Sequence, residues 1–256
     1  MKQSFKKAAV TAEVTPETEA PKAAQPLATR PKVGPLGAVQ HKGADDMYGE
    51  WLPKDSKLPR LNIRQKSSSG ELGENFEFGD LVFAKKIKLA DAETPVIVIP
   101  VVAGKDYQQV VKFGEGQGVV YPTAQAVLDN GGTLDWSKDA INESIYFGPR
   151  AHIQFAIKAP AELSEEDLNF FPFEFGGDRW AMSIYTVASS AYTSLAKELE
   201  TLRRYNMIMM KGLVYGRLEL TTKFKQKPPQ QEWYVPIVKL AGENPAGLIE
   251  FLEAIK

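Results

Sequence analysis

Proline spacing divides this chain into a part that cannot build regular structure and a part that can. Between residues 8 and 37, prolines recur every four or five residues, at Pro16, Pro21, Pro26, Pro31 and Pro35. Proline breaks helices and cannot donate to a strand ladder, so this spacing prevents both a long helix and a sheet. The segment contains no aromatic residue, and its burial cannot offset about 1–2 kcal/mol per residue of backbone ordering. We predict a flexible, disordered Pro- and Ala-rich arm over residues 1–57 and a single β-rich domain over residues 58–256.

Two interpretations of this arm stay open. It is either a solvated tail or a segment that contacts a partner, and its candidate anchors are Met47, Tyr48, Trp51 and Leu52. These side chains could pack on the folded domain or on another copy of the chain. The sequence therefore allows a homo-oligomer that forms through the N-terminal arm.

Beyond residue 57 the apolar residues follow the pattern of β-strands. Val96–Val102 is a β-branched run typical of a buried strand, and Pro100 within it indicates an edge or a bulge. A turn is predicted at 103–106, and 180–185 is either a strand or the entry to a helix. Further strands are predicted at 61–63, within 76–89, and at 107–113, 151–159, 213–222 and 233–240, the last two forming a hairpin around a basic loop at 223–232.

Helices are few in the predicted fold. One is expected at 122–128, a long one at 185–205, and a C-terminal one after Asn244. Ser164–Asp167 has the form of a capping box and predicts a short helical turn, whereas 130–150 is expected to be a long loop. The fold class is therefore α+β and β-rich, with a strongly curved antiparallel sheet.

The composition excludes several kinds of active site. There is no cysteine, and the only histidines are His41 and His152, neither of which lies in a recognisable catalytic motif. The glycine-rich stretch Gly114–Gly118 lacks the Lys-Ser/Thr of a phosphate loop, and the carboxylates show no paired spacing. We expect no enzyme, no cofactor and no metal site, with an enzyme using carboxylate-bound magnesium as a remaining alternative.

Hydropathy indicates a protein without a membrane partner. The longest apolar stretch, Val96–Ala103, is far shorter than the roughly 20 residues of a membrane helix. The basic N-terminus has no apolar segment of the kind found in secretory signals. The expected location is the cytoplasm, or the host cytoplasm if the protein is viral.

Charge is distributed unevenly along the chain. The net charge is −1, yet residues 197–227 contain eight basic and three acidic residues, a local excess of five positive charges. Aromatic residues are interleaved with these cations, as in proteins that bind single-stranded nucleic acid, where cations neutralise phosphates and rings stack on bases. A second basic strip lies near residue 60. The candidate nucleic-acid-binding residues are Arg60, Arg64, Lys66, Arg203, Arg204, Lys211, Tyr215, Arg217, Lys223, Phe224, Lys225, Lys227, Trp233 and Tyr234.

Four short segments resemble single-stranded DNA-binding proteins of bacteriophages and related mobile elements. They are Leu58–Ser68, Gly79–Phe83, Gly212–Thr222 and Trp233–Pro236. The resemblance implies an OB-like β-barrel core, cooperative coating of single strands, and a role in phage-type DNA replication or recombination. We therefore expect a non-catalytic single-stranded DNA-binding protein, with RNA as a further possible ligand. The alternative is a structural or assembly protein, such as a virion component or scaffold, that uses the N-terminal arm for subunit contacts.

Overall fold

Two antiparallel β-sheets dominate the computed structural model, which describes residues 58–112 and 116–255. The smaller sheet has three strands in the order β1–β2–β3, at Leu61–Ile63, Leu81–Phe83 and Ile87–Ala90. The seven strands of the larger sheet are β4 Val96–Gln109, β5 Val120–Tyr121, β6 Phe147–Lys158, β7 Phe173–Phe175, β8 Asp178–Ala188, β9 Gly216–Lys227 and β10 Gln231–Glu243. Their order is β10–β9–β4–β6–β8–β7, with β5 paired to β4. The α+β, β-rich class with antiparallel sheets is confirmed, whereas the predicted arm lies outside the described residues.

The helices are short apart from one composite helix. The α-helices are α1 Glu71–Glu74, α2 Ala124–Asp129, α3 Lys138–Asn142, α4 Glu165–Leu168, α5 Ser189–Ala191, α6 Lys197–Tyr205 and α7 Ala246–Ala254. A π-helical segment, Tyr192–Ala196, joins α5 to α6, and two 3₁₀ turns follow at Met209–Lys211 and Leu213–Tyr215. As predicted, Ser164 caps α4, its hydroxyl accepting a hydrogen bond from the backbone N–H of Asp167. No helix of the described part is long and apolar enough to cross a membrane.

The larger sheet carries an apolar core on each face. Side chains alternate between faces along a strand, so the neighbours Val98 and Ile99 belong to different clusters. The Val98 cluster includes Leu218 of β9 and Leu195 of the π-helical segment. The Ile99 cluster is covered by Leu248 and Leu252 of α7, which confirms the predicted amphipathic C-terminal helix. Complete burial of each such side chain contributes about 1.5–3 kcal/mol.

The segment at β1 lies between the edge strand β10 and the part of β8 that extends beyond its pairing with β7. The backbone N–H of Ile184 donates to the carbonyl oxygen of Pro59 at 2.9 Å. On the other side, the amide of Gln65 donates to the Tyr234 carbonyl at 2.9 Å and accepts from the Tyr234 N–H at 3.0 Å. The described strands nevertheless form no closed barrel, since β1 makes a ladder only with β2.

One turn predicted in the sheet is wrong, and one predicted bulge is confirmed. Residues 103–106 are not a turn, because β4 runs without interruption from Val96 to Gln109 and pairs with β6 along its length. Asp106, which favours a turn locally, lies opposite Arg150 and bonds to it across the two strands. The predicted bulge at Pro100 is confirmed as a register shift between Pro100 and Val102.

The other corrections concern helix and hairpin limits. The long helix begins at Ser189 and not at residue 185, because Tyr185 and Val187 are buried in β8 opposite β6. The predicted loop at 130–150 contains α3 and the start of β6. In the β9–β10 hairpin, pairing continues to Lys227 and Gln231, so most of the predicted basic loop is strand. Residues 213–215 form a 3₁₀ turn, so β9 begins at Gly216.

Candidate nucleic-acid interface

The predicted cations of the long helix lie together at the end of α6. Arg203 and Arg204 donate to the two carboxylate oxygens of Glu200, at 3.0 and 2.7 Å. The hydrogen bonds from Arg204 and Arg203 lower the pKa of Glu200, so its carboxylate is ionised. One acid is therefore shared between two arginines, which leaves about one net positive charge at this place.

A second predicted group lies around the 3₁₀ turns and the start of β9. Lys211 forms an ion pair of 2.6 Å with Glu243 and lies 5.9 Å from the ring centroid of Tyr215. Arg217 is exposed on β9. Tyr215 lies in the 3₁₀ turn before β9 and not in the strand predicted at 213–222.

The third predicted group occupies the β9–β10 hairpin, where its cations and rings separate. Lys223 and Lys225 lie opposite Val235 and Trp233 on one face. On the other face, Phe224 and Tyr234 lie opposite each other and pack with Phe78, the Tyr234 ring centroid being 4.9 Å from that of Phe78 and 5.5 Å from that of Phe224. Lys227 lies at the hairpin end. Phe224 and Tyr234 therefore pack within the domain, while Phe224 remains 37% exposed.

Trp233 joins the hairpin to the long helix. Its indole N–H donates to the Ser190 hydroxyl in α5 at 3.1 Å, and the side chain is only partly exposed. This bond fixes the ring against the helix.

The basic strip near the domain start is largely engaged in local contacts. Arg64 donates to the carbonyl oxygen of Gly73 at 3.1 Å. Lys66 forms an ion pair with Glu232 and lies 5.5 Å from the ring centroid of Phe78. Arg60 is exposed and bridges to β8 through its backbone. The strip thus contacts α1, β8 and the hairpin.

Two cavities follow each other along β4, β6 and the long helix, and Tyr192 lines both. The arginine cavity, of about 630 Å³, is lined by the charged residues Lys105, Glu200, Arg203 and Arg204. The tryptophan cavity, of about 620 Å³, is lined by Arg150 and Lys197 together with the rings of Trp136 and Tyr146. Within residues 58–112 and 116–255, the two linings hold five basic residues and one acidic residue.

Lys105 lies at the junction of the two cavities. Its ammonium is 4.8 Å from the ring centroid of Tyr107 and 5.7 Å from that of Tyr192. Partial burial lowers the pKa of Lys105, but interactions with Tyr107 and Tyr192 outweigh this effect and the net pKa is raised. Lys105 is therefore cationic at neutral pH, beside a ring that faces both cavities.

Arg150 is held rigidly in the wall of the tryptophan cavity. Its Nε and Nη2 donate to the two oxygens of Asp106 at 2.9 and 2.8 Å, and its Nη1 donates to Gln108 at 3.0 Å. The Asp106 carboxylate also lies 2.9 Å from Nε2 of His152. The other ring nitrogen of His152, Nδ1, is 2.9 Å from the Thr186 hydroxyl. The hydrogen bond from Arg150 lowers the pKa of Asp106, against the opposing effect of burial, and the bond from His152 adds to the lowering.

The sequence predicted only two of the cavity residues, Arg203 and Arg204. It did not identify Lys105 or Arg150, because their strands pair across more than forty residues of chain, nor Tyr192, which the packing of the π-helical segment places at the cavities. A detectable signal existed for Trp136, a large aromatic residue in a polar stretch. Its side chain is 64% exposed.

Within residues 58–112 and 116–255, no three acidic or histidine side chains are grouped so that they could hold a metal ion. No protein-family model, curated protein or solved structure matches the chain.

Proposed function

We propose that this chain binds single-stranded DNA without catalysing a reaction, and that the strand follows the two cavities on either side of Tyr192. The observation that supports the proposal is the lining itself, with five basic residues against one acidic residue and aromatic rings among them. Cations of this kind neutralise phosphates, and rings stack on bases irrespective of sequence.

The aromatic rings favour a single strand over a duplex. In a duplex the faces of each base are covered by its neighbours, so Trp136, Tyr146 and Tyr192 would have no base to stack on. In a single strand the bases can turn towards the protein while the phosphates remain near Lys105 and Lys197.

The resemblance to phage single-stranded DNA-binding proteins supports DNA as the ligand and phage-type replication or recombination as the setting, in the cytoplasm of the cell or host. It also supports an OB-like core. In that core the segment Pro59–Gln65 would fill the space between β8 and β10. Its first residue, Pro59, is hydrogen-bonded to β8, and its last, Gln65, to β10. A role in assembly through residues 1–57 remains the alternative prediction.

An anisotropy titration with labelled oligo(dT) at low and high salt tests the proposal. We expect binding at low salt that weakens linearly on a logarithmic salt scale, and weaker binding of a duplex of equal length. Absence of binding at low salt would refute the proposal.

Charge variants locate the strand on the surface. Replacing Lys105 and Lys197 together by Gln should flatten the salt slope by about 1.4, since each phosphate contact on a single strand contributes about 0.7. Lys239→Gln is the matched control, because Lys239 is exposed on β10 and lines neither cavity. The triple Gln variant of Lys223, Lys225 and Lys227 reports whether the strand also crosses the hairpin, in which case its slope falls by about 2.

A further inference from the structure

We propose that the tryptophan cavity is a base-binding subsite in which one unstacked base rests against Trp136 and the guanidinium plane of Arg150. This inference rests on the proposed function. It assigns a role to individual residues at one end of the proposed path of the DNA strand. The cavity volume of about 620 Å³ lies within the 300–1,000 Å³ typical of sites for small ligands, so a base fits without rearrangement.

Trp136 is exposed although its loop is ordered on both sides. Thr133 pairs with the strand that begins β6, its N–H donating to Ile145 and its carbonyl accepting from Phe147, at 2.8 and 2.9 Å. Directly after Trp136, the Ser137 hydroxyl caps α3 by accepting from the Ala140 N–H at 3.0 Å. A tryptophan held by fixed backbone yet 64% exposed is a preformed stacking surface, since a buried role would have turned it inward.

Arg150 contributes a flat surface more than a free charge. Three of its N–H groups already donate to Asp106 and Gln108, and the Asp106 carboxylate offsets its positive charge. These bonds fix the orientation of the guanidinium, and its face remains suited to stacking on a base. Lys197, at the same cavity, makes no ion pair with any residue of 58–112 or 116–255.

The division of roles follows from these contacts. Lys197 provides the charge that meets a phosphate, whereas Trp136 and Arg150 provide the faces between which a base lies. Among the described residues, the lining contains no carboxylate that would repel the strand. Removing Trp136 should therefore cost affinity without changing the salt slope, and removing Lys197 should change the slope.

The experiment compares oligo(dT) with an abasic deoxyribose-phosphate strand of equal length, using the full chain. We expect Trp136→Ala to bind oligo(dT) about 5- to 150-fold more weakly than the natural chain, the range for one lost stacking contact. Its affinity for the abasic strand and its salt slope should not change. Arg150→Lys, which keeps the charge and loses the plane, should show the same pattern.

Leu128→Ala is the matched control, because Leu128 is 52% exposed on the neighbouring α2 and does not line the cavity. Quenching of tryptophan fluorescence gives an independent readout. Saturation with oligo(dT) should quench the natural chain more than Trp136→Phe, which retains Trp51, Trp180 and Trp233.

Each result has a defined meaning. If Trp136→Ala binds oligo(dT) as the natural chain does, or loses affinity for both strands equally, the subsite is refuted while the proposed function stands. If the natural chain binds no oligo(dT) at low salt, the proposed function and the subsite fail together. Equal quenching of the natural chain and Trp136→Phe also overturns the subsite.

Discussion

Glu200 is the only acidic residue that the described part of the chain contributes to the two cavity linings, and replacing it by Gln should strengthen binding. Its carboxylate holds both Arg203 and Arg204, so the α6 end now offers about one net positive charge where two arginines stand. In Glu200→Gln the carboxylate is gone and both guanidinium groups are free to meet phosphates. The cost in folding stability is about 0–1 kcal/mol, because this ion pair is exposed.

The size of the effect can be worked out from the charges. In the natural chain Lys105, Lys197 and the arginine pair amount to about three phosphate-neutralising charges, for a salt slope near −2. Glu200→Gln raises this to about four and steepens the slope by about 0.7. A carboxylate about 6 Å from a phosphate repels it by about 0.7 kcal/mol in water, so its removal should tighten binding about threefold at low salt.

Oligo(dT) anisotropy at several salt concentrations measures both quantities. Glu198→Gln is the control, since it makes the same charge change on the same helix at an exposed residue outside both linings. The reasoning fails if Glu200→Gln leaves slope and affinity unchanged while the natural chain binds. It fails equally if Glu198→Gln produces the same gain, because the effect would then be one of total charge.

Three further predictions concern the scaffold of the site. Gly79→Ala should lower the unfolding free energy in urea by about 2–5 kcal/mol. Gly79 has φ of 98°, and an added Cβ would come within 2.6 Å of the Tyr234 ring. A variant as stable as the natural chain would contradict this. Asp106→Asn should cost about 1–3 kcal/mol at pH 7. Since Arg150 lowers the pKa of Asp106 in the folded state, that contribution is present above the unfolded pKa of about 3.9 and is lost as the pH falls below it. The two unfolding curves should therefore converge in acid, and a gap that persists there would refute the assignment. Leu195→Ala, at a fully buried side chain of the core, should lower the unfolding free energy by about 2–5 kcal/mol, as a thermal melt would show.

Patterns that depend on neighbours in sequence were predictable, and patterns that depend on pairing were not. The β-branched run with its bulge at Pro100 and the capped turn at Ser164 follow from local preferences. The start of the long helix does not, because Ile184 and Val187 fit a helical stripe and a strand equally well. Pairing of Tyr185 with Ile153 decides for the strand, and no local rule contains that contact.

The same division applies to the candidate site. A charge count along the chain found Arg203 and Arg204, since they lie in one basic segment. The hairpin rings were predicted as stacking residues, but cross-strand packing turns Phe224 and Tyr234 towards Phe78. Lys105 and Arg150 lie on paired strands far apart in sequence, and the packing of the π-helical segment on the core brings Tyr192 beside Lys105.

Because of the π-helical segment Tyr192–Ala196, the relative orientation of α5 and α6 depends on the number of residues between them. A π turn holds one residue more than an α turn, so it sets the angular phase between α5, beside the tryptophan cavity, and α6, which carries Arg203. If the same residues wound as an α-helix, one half would turn against the other by about 100°, and Tyr192 and Arg203 would no longer face the same side of the molecule. Deleting one residue here would restore an α-helix with both halves still in phase, because the π turn absorbs the extra residue. One deletion is therefore compatible with both cavities, whereas an insertion or a second deletion would uncouple them even where every side chain that lines them is kept.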